Sequence, residues 1–106
     1  MGTTRRHHRY AYDGLLSYRR LGSSTPGQVR NISEGGLMVV LPEPLPPGTP
    51  LNLDLTLGEE SIHAEVEVVW SINSSNGAYP HGCKFTQLKL EGRMTLAVFI
   101  GKMNGG

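Results

Sequence analysis

Two neighbouring runs with a period of two limit the fold more than anything else in the chain. In LNLDLTL (51–57), Leu51, Leu53, Leu55 and Leu57 alternate with Asn52, Asp54 and Thr56. In IHAEVEVVW (62–70), Ile62, Ala64, Val66, Val68 and Trp70 alternate with His63, Glu65 and Glu67 over most of the run. Successive side chains of a strand point to opposite faces, so each run predicts a half-buried strand. GEES (58–61) turns the chain between them.

The rest of the chain adds strands of the same kind. Tyr10, Tyr12, Gly14, Leu16 and Tyr18 alternate and predict a long first strand. LGSSTPG (21–27) has the composition of a turn. QVRNIS (28–33) reads as a short strand, EGG (34–36) as a tight turn and LMVVL (37–41) as a buried strand. PEPLPPGTP (42–50) is a stiff connection between strands, although its PxxP spacing is also that of an SH3-type ligand. NSSNG (73–77) reads as a hairpin loop and YPHGCKF (79–85) as the last strand.

From Leu88 to Met103 the period changes to that of a helix. Leu90, Met94, Ala97 and Val98 form one stripe; Leu96, Phe99, Ile100 and Met103 form an adjacent one. So broad an apolar face predicts a closing helix with both stripes packed on the sheet. Fourteen glycines and seven prolines favour turns over long helices. Six or so antiparallel strands with closely spaced turns imply a small closed barrel or sandwich of one domain. No run of 18 apolar residues spans a membrane, and no apolar stretch makes a secretory signal of the basic N-terminus. A single cysteine, Cys83, excludes an internal disulfide and points to the cytoplasm.

Charge is unevenly spread. Residues 1–30 hold six arginines and one acid, a balance of +5, whereas residues 31–106 hold four basic and eight acidic residues, a balance of −4. RRHHR (5–9) concentrates this charge in an arm, residues 1–8, that is polar and without periodicity, hence expected to be flexible. Charge gathered at one end points to a local anionic ligand. Arginine's planar fork matches phosphate oxygens and the O6/N7 edge of guanine alike. Arg5 and Arg9 are spaced RxxxR, with Arg6 beside them.

NISEGG (31–36) is the second polar constellation. If Asn31 and Ser33 share an extended strand, their side chains project together. Gly35 and Gly36 can supply positive φ or a close backbone approach. The same residues also fit an Asx- or Ser-turn at a hairpin corner. Trp70 either ends the Val66–Val68 stripe as core or sits at a rim, where its ring can stack on a base.

Together, RxxxR at Arg5 and Arg9 and NxSxxG at Asn31, Ser33 and Gly36 resemble the PilZ family, whose signature is RxxxR followed by [D/N]xSxxG. The order of the remaining segments agrees: a Pro-Gly loop into LNLDLTL, a strand ending VVW, then HGCKF and a C-terminal helix. The resemblance covers essentially the whole chain. It implies an all-β fold, a six-stranded antiparallel PilZ-type barrel over 9–87 with a C-terminal helix over 88–103. It also implies a non-enzymatic receptor for the bacterial second messenger cyclic di-GMP, without a cofactor, passing its signal to a downstream protein. The ligand-binding residues it implies are Arg5, Arg6, Arg9, Asn31, Ser33, Gly35 and Gly36, with Trp70 as a stacking candidate. An Asp at position 31 would offer guanine two acceptor oxygens; Asn31 offers one, plus an amide donor.

Three other readings compete. A PilZ-like module can act through protein partners without binding nucleotide, but such modules lack the residues kept here. Single-stranded nucleic acid needs basic and aromatic residues spread over one face, and here the basic charge is on an arm. His81 and Cys83 with His7 and His8 lack the two clean ligand pairs of a zinc site, so Cys83 reads as core.

Overall fold

A computed structural model describes residues 8–74 and 76–105. Six antiparallel strands close into a barrel: β1 (Tyr10–Arg20), β2 (Ser23–Ile32), β3 (Gly36–Leu41), β4 (Pro50–Leu57), β5 (Glu60–Ser71) and β6 (Tyr79–Leu88). Helix α1 (Leu90–Gly105) follows. Around the barrel the order is β1-β2-β3-β6-β5-β4, and β4 pairs back onto β1. Closure leaves no open sheet edge among the described residues.

The inward positions are those the alternation predicts along β4 and most of β5. Leu51, Leu53, Leu55, Leu57, Ile62, Ala64, Val66 and Val68 are buried together with Val29, Ile32, Leu37, Val39, Leu41 and Tyr18. The proline-rich segment crosses one end of the barrel as a strap. Leu45 plugs that opening, and its N–H donates to His81 Nε2 at 3.0 Å. The Gly48 N–H donates to the Val68 carbonyl, and the Val68 N–H returns a bond to the Thr49 carbonyl. Helix α1 packs at the other end, against β5 and β6. There Gly92 lies against Leu88 and Ile62, and the Phe99 ring meets Tyr12 edge-on at 4.8 Å.

Three expectations are corrected. The turn predicted over 21–27 is confined to Leu21 and Gly22, and β2 begins at Ser23. Both turn residues have positive φ, 54° and 82°, the twist that suits a two-residue hairpin. Pro26 sits in a part of β2 that pairs with β1 alone, because pairing with β3 starts only at Gln28. Only one of the two helical stripes is covered. Leu96 and Ile100 are buried, but Leu90, Met94 and Val98 are 70%, 58% and 59% exposed. Finally, Trp70 does not continue the inward stripe. Val68 pairs with Cys83 and Trp70 with Gly82, so Val69 is an extra residue in β5. A bulge of this kind reverses the facing of everything beyond it.

Candidate functional site

The site grows from a second bulge. Val29 pairs with Val39, and Asn31 pairs with Met38, leaving Arg30 as the extra residue. The inserted residue turns Asn31 to the outer face of the barrel, while Ile32 beyond it is buried. On the other side Asn31 faces Ala11 of β1. Arg9 lies two residues before Ala11, and its Nη1 donates to Asn31 Oδ1 at 2.9 Å. The Asn31 amide donates in turn to Met38 Sδ at 3.6 Å. The last arginine of RxxxR and the first residue of NxSxxG are therefore in contact.

Ser33 is outside β2, in the corner that leads to β3. It is only 4% exposed. Its hydroxyl accepts from the N–H groups of Gly35 and Gly36, both at 3.2 Å, and its N–H donates to the Gly36 carbonyl at 2.8 Å. This is a Ser-turn. The Gly35 carbonyl accepts from the Phe85 N–H at 3.0 Å, which ties the corner to β6. Gly36 keeps ordinary φ; its role is closeness. A Cβ there would fall 2.2 Å from the Cys83 carbonyl oxygen, so only glycine lets β3 meet β6 at this point.

Cross-strand pairing extends the site sideways. Asn31 pairs with Met38, Met38 with Gly82, and Gly82 with Trp70. Directly paired residues share a face, so these four form one outward row across β2, β3, β6 and β5. Three strand spacings make it about 14 Å wide. The Trp70 indole lies over Gly82, where a Cβ would come within 2.1 Å of Nε1, and the ring remains 36% exposed. Next to Met38 the same face dips into a hollow lined by Arg30, Val40, Ile72 and Pro80. Arg30 bonds Asp13 at 3.4 Å across the hollow's edge. The surface thus offers a guanidinium and an amide at one end, a thioether in the middle and an exposed indole at the other end.

The structure brings Arg9, Asn31 and Trp70 to this face and puts Ser33, Gly35 and Gly36 in the corner behind Asn31. Arg5 and Arg6, with most of the expected arm, lie outside the described residues. Met38 and Gly82 were not singled out from the sequence; only the strand register reveals them. His81 and Cys83 both face inward. His81 is fully buried, with Nδ1 on the Tyr79 carbonyl at 2.7 Å and Nε2 on Leu45. Burial pushes the Cys83 thiol up to about 12. No group of three or more His, Cys, Asp or Glu that could hold a metal ion occurs among the described residues.

Barrel topology, the corner and the arginine contact together define the class of protein. The chain belongs to the PilZ domain family, whose model matches residues 3–102. Among solved structures it is similar to the Bacillus subtilis inhibitor of motility MotI/DgrA, with a TM-score of 0.79 and 21% identity over 97% of this chain and 53% of that one. It is also similar to the Klebsiella (K. pneumonia) MrkH–c-di-GMP complex, with a TM-score of 0.79 and 19% identity over 98% of this chain and 54% of that one. The PilZ domain of Escherichia coli YcgR, solved with c-di-GMP, gives a TM-score of 0.74 and 13% identity over 97% and 93%. The chain thus spans about half the length of MotI and MrkH. No curated protein sequence matches it. None of the helices among the described residues is long and apolar enough to cross a membrane.

Proposed function

We propose that this chain is a receptor module for cyclic di-GMP that binds the dinucleotide on the outer row from Arg9 and Asn31 to Trp70. The observation that carries the reading is the juxtaposition of Arg9, Asn31, Met38, Gly82 and Trp70 on one face. A single base cannot cover a row about 14 Å wide, whereas a two-base ligand can. One guanine stacks on the indole, which contributes roughly 1–3 kcal/mol. The Arg9 fork takes phosphate or a guanine edge, and Asn31 Oδ1 accepts one guanine N–H. Ser33, Gly35 and Gly36 belong to the site as the corner that fixes Asn31. Two of the similar structures, of YcgR and MrkH, were solved with c-di-GMP, which supports the same ligand here.

In the free chain Arg9 already occupies Asn31 Oδ1, so guanine must displace it. The guanidinium then turns to the ligand, and Arg5 and Arg6 close over it from the arm. Ordering the arm costs about 1–2 kcal/mol per residue fixed. Charge-assisted bonds return roughly 1.5–3 kcal/mol each. Four to six such contacts with stacking lead to a Kd on the order of 1 μM. Arm position then reports ligand occupancy to a downstream protein.

Calorimetry with cyclic di-GMP, read beside Trp70 fluorescence, tests this. Binding should quench or shift Trp70 emission, and Arg9→Ala should weaken it at least tenfold with the fold retained by circular dichroism. Ser33→Ala, which removes the acceptor for two corner N–H groups, should weaken it to a similar degree. Absence of binding heat on folded protein would reject the reading. Binding that survives both substitutions would reject the site.

A further inference from the structure

The proposed ligand row leaves one feature of the molecule without a role. Leu90, Met94 and Val98 follow one another along α1, four residues apart, on a side turned away from buried Leu96 and Ile100. A stripe spaced in this way needs a cover, and the barrel meets only its edge, where Met94 and Val98 share a hollow with Leu57, Gly58, Glu59 and Glu60. Gly101 continues the stripe as a notch: a Cβ placed there would meet no heavy atom within 4 Å. On one flank stand Glu91 and Lys102, both exposed, and among the described residues neither has an ion pair within its own chain.

We infer that the occupant of this stripe is α1 of a second copy of the chain, packed antiparallel about a two-fold axis that passes beside position 96. In that arrangement the notch and both charges of the flank find complements in the second copy. With a rise of about 1.5 Å per residue, a two-fold axis at 96 sets Met94 level with Val98 of the second copy. Leu90 then comes within one residue's rise, about 1.5 Å, of Gly101 of the second copy and fills the notch. In an antiparallel two-fold pair each flank meets itself, so Lys102 lies beside Glu91 of the second copy, twice over. A parallel pair would instead set each flank against the opposite one, give Lys102 no acidic partner in the second copy and leave the Gly101 notches facing each other. Glu59 and Glu60 line the same hollow as Lys102 on its own chain. Arg93 lies on the far flank, in solvent, and has no partner in the pair.

One helix pair buries less than the roughly 800 Å² per partner of a standard stable interface. The dimer is accordingly weak and concentration-dependent, with a Kd of the order of 100 μM.

Sedimentation velocity of the 106-residue chain from 10 μM to 1 mM, at about 0.1 M salt, tests the inference. The mass should rise from monomer towards dimer over that range. Met94→Glu and Val98→Glu should each weaken association at least tenfold. Gly101→Leu should weaken it at least fivefold although it improves helix propensity, an effect that a purely structural role for Gly101 would not produce. Glu91→Lys and Lys102→Glu should each weaken it about threefold or more, and their combination should restore most of the loss. All five positions are exposed, and circular dichroism establishes that each variant is folded. A chain that stays monomeric at 1 mM overturns the inference. So does association that Met94→Glu leaves unchanged, or a double charge exchange that restores nothing.

Discussion

Acidification should release the strap from the barrel, and His81 is the group responsible. Its Nδ1–H donates to the Tyr79 carbonyl at 2.7 Å, and its Nε2 accepts from the Leu45 N–H at 3.0 Å. That pattern fixes the neutral imidazole with the proton on Nδ1. Burial holds its pKa below the ordinary 6.5, against the bond to Tyr79 and the nearby Glu43 carboxylate, which both act in the other direction. The unfolded chain therefore binds a proton that the folded chain refuses. The stabilisation is complete above the unfolded pKa and is lost as pH falls below it towards the folded one. The loss approaches about 1.4 kcal/mol per pH unit, so a fall from pH 6.5 to 5 removes up to about 2 kcal/mol. A domain of this size has only about 5–15 kcal/mol in total. Urea unfolding followed by circular dichroism at half-unit steps from pH 7.5 to 5 measures the slope. His81→Gln supplies the control, since its amide offers one donor and one acceptor but does not titrate. The difference in slope between the two proteins isolates His81 from all other groups. Equal slopes would refute the reasoning.

Other substitutions probe the corner, the hairpin and the row. Gly36→Ala drives a methyl group into the Cys83 carbonyl, where backbone must yield, so thermal unfolding should show a loss above about 2 kcal/mol. Leu21, 91% exposed with φ of 54°, carries a left-handed strain that Gly or Asn would relieve; Leu21→Gly should stabilise by about 1 kcal/mol in the same assay. Gly82→Ala meets the Trp70 ring rather than backbone, so the fold should persist while the indole is displaced. Trp70 emission should then shift, and cyclic di-GMP affinity should fall at least fivefold; unchanged emission would show that the indole does not rest on Gly82.

The barrel was legible because its core obeys a simple period. Leu51 to Leu57 and Ile62 to Val68 face inward as the alternation requires, and the strap and closing helix follow from Pro/Gly content and the change of period. The helix was read too generously. An apolar side chain at Met94 or Val98 records only that a surface can be buried, not what buries it, and a sequence pattern does not separate a barrel from a second copy. The hairpin at Leu21 was read too broadly for a related reason. Ser23, Ser24 and Pro26 have turn propensity, but pairing with β1 along 23–29 overrides it. At the candidate site the two motifs gave Arg9 and Asn31 directly. Met38 and Gly82 have no signature of their own and acquire a role only through register.

Each failure of the alternation around the site coincides with a bulge, and this coincidence is itself informative. The extra Arg30 turns Asn31 outward, and the extra Val69 turns Trp70 outward. Between Ala11 and Gly14 the register of β1 shifts as well, and there the Tyr12 hydroxyl donates to the Thr56 carbonyl and accepts from the Gly58 N–H. Without the first two bulges, the period of two would send an amide and an indole into an apolar core, leaving the amide unsatisfied at a cost of roughly 1–3 kcal/mol. The irregularities thus reconcile two demands on the same strands. Residues such as Val29, Ile32 and Val68 must fill the barrel, while Asn31 and Trp70, their neighbours or next neighbours in the chain, must remain outside within reach of a ligand. A bulge is the smallest backbone change that serves both, since one inserted residue reverses the facing without opening the barrel. The arm joins the row by the same route, because Arg9 enters at Ala11, opposite the residue that the β2 bulge exposes.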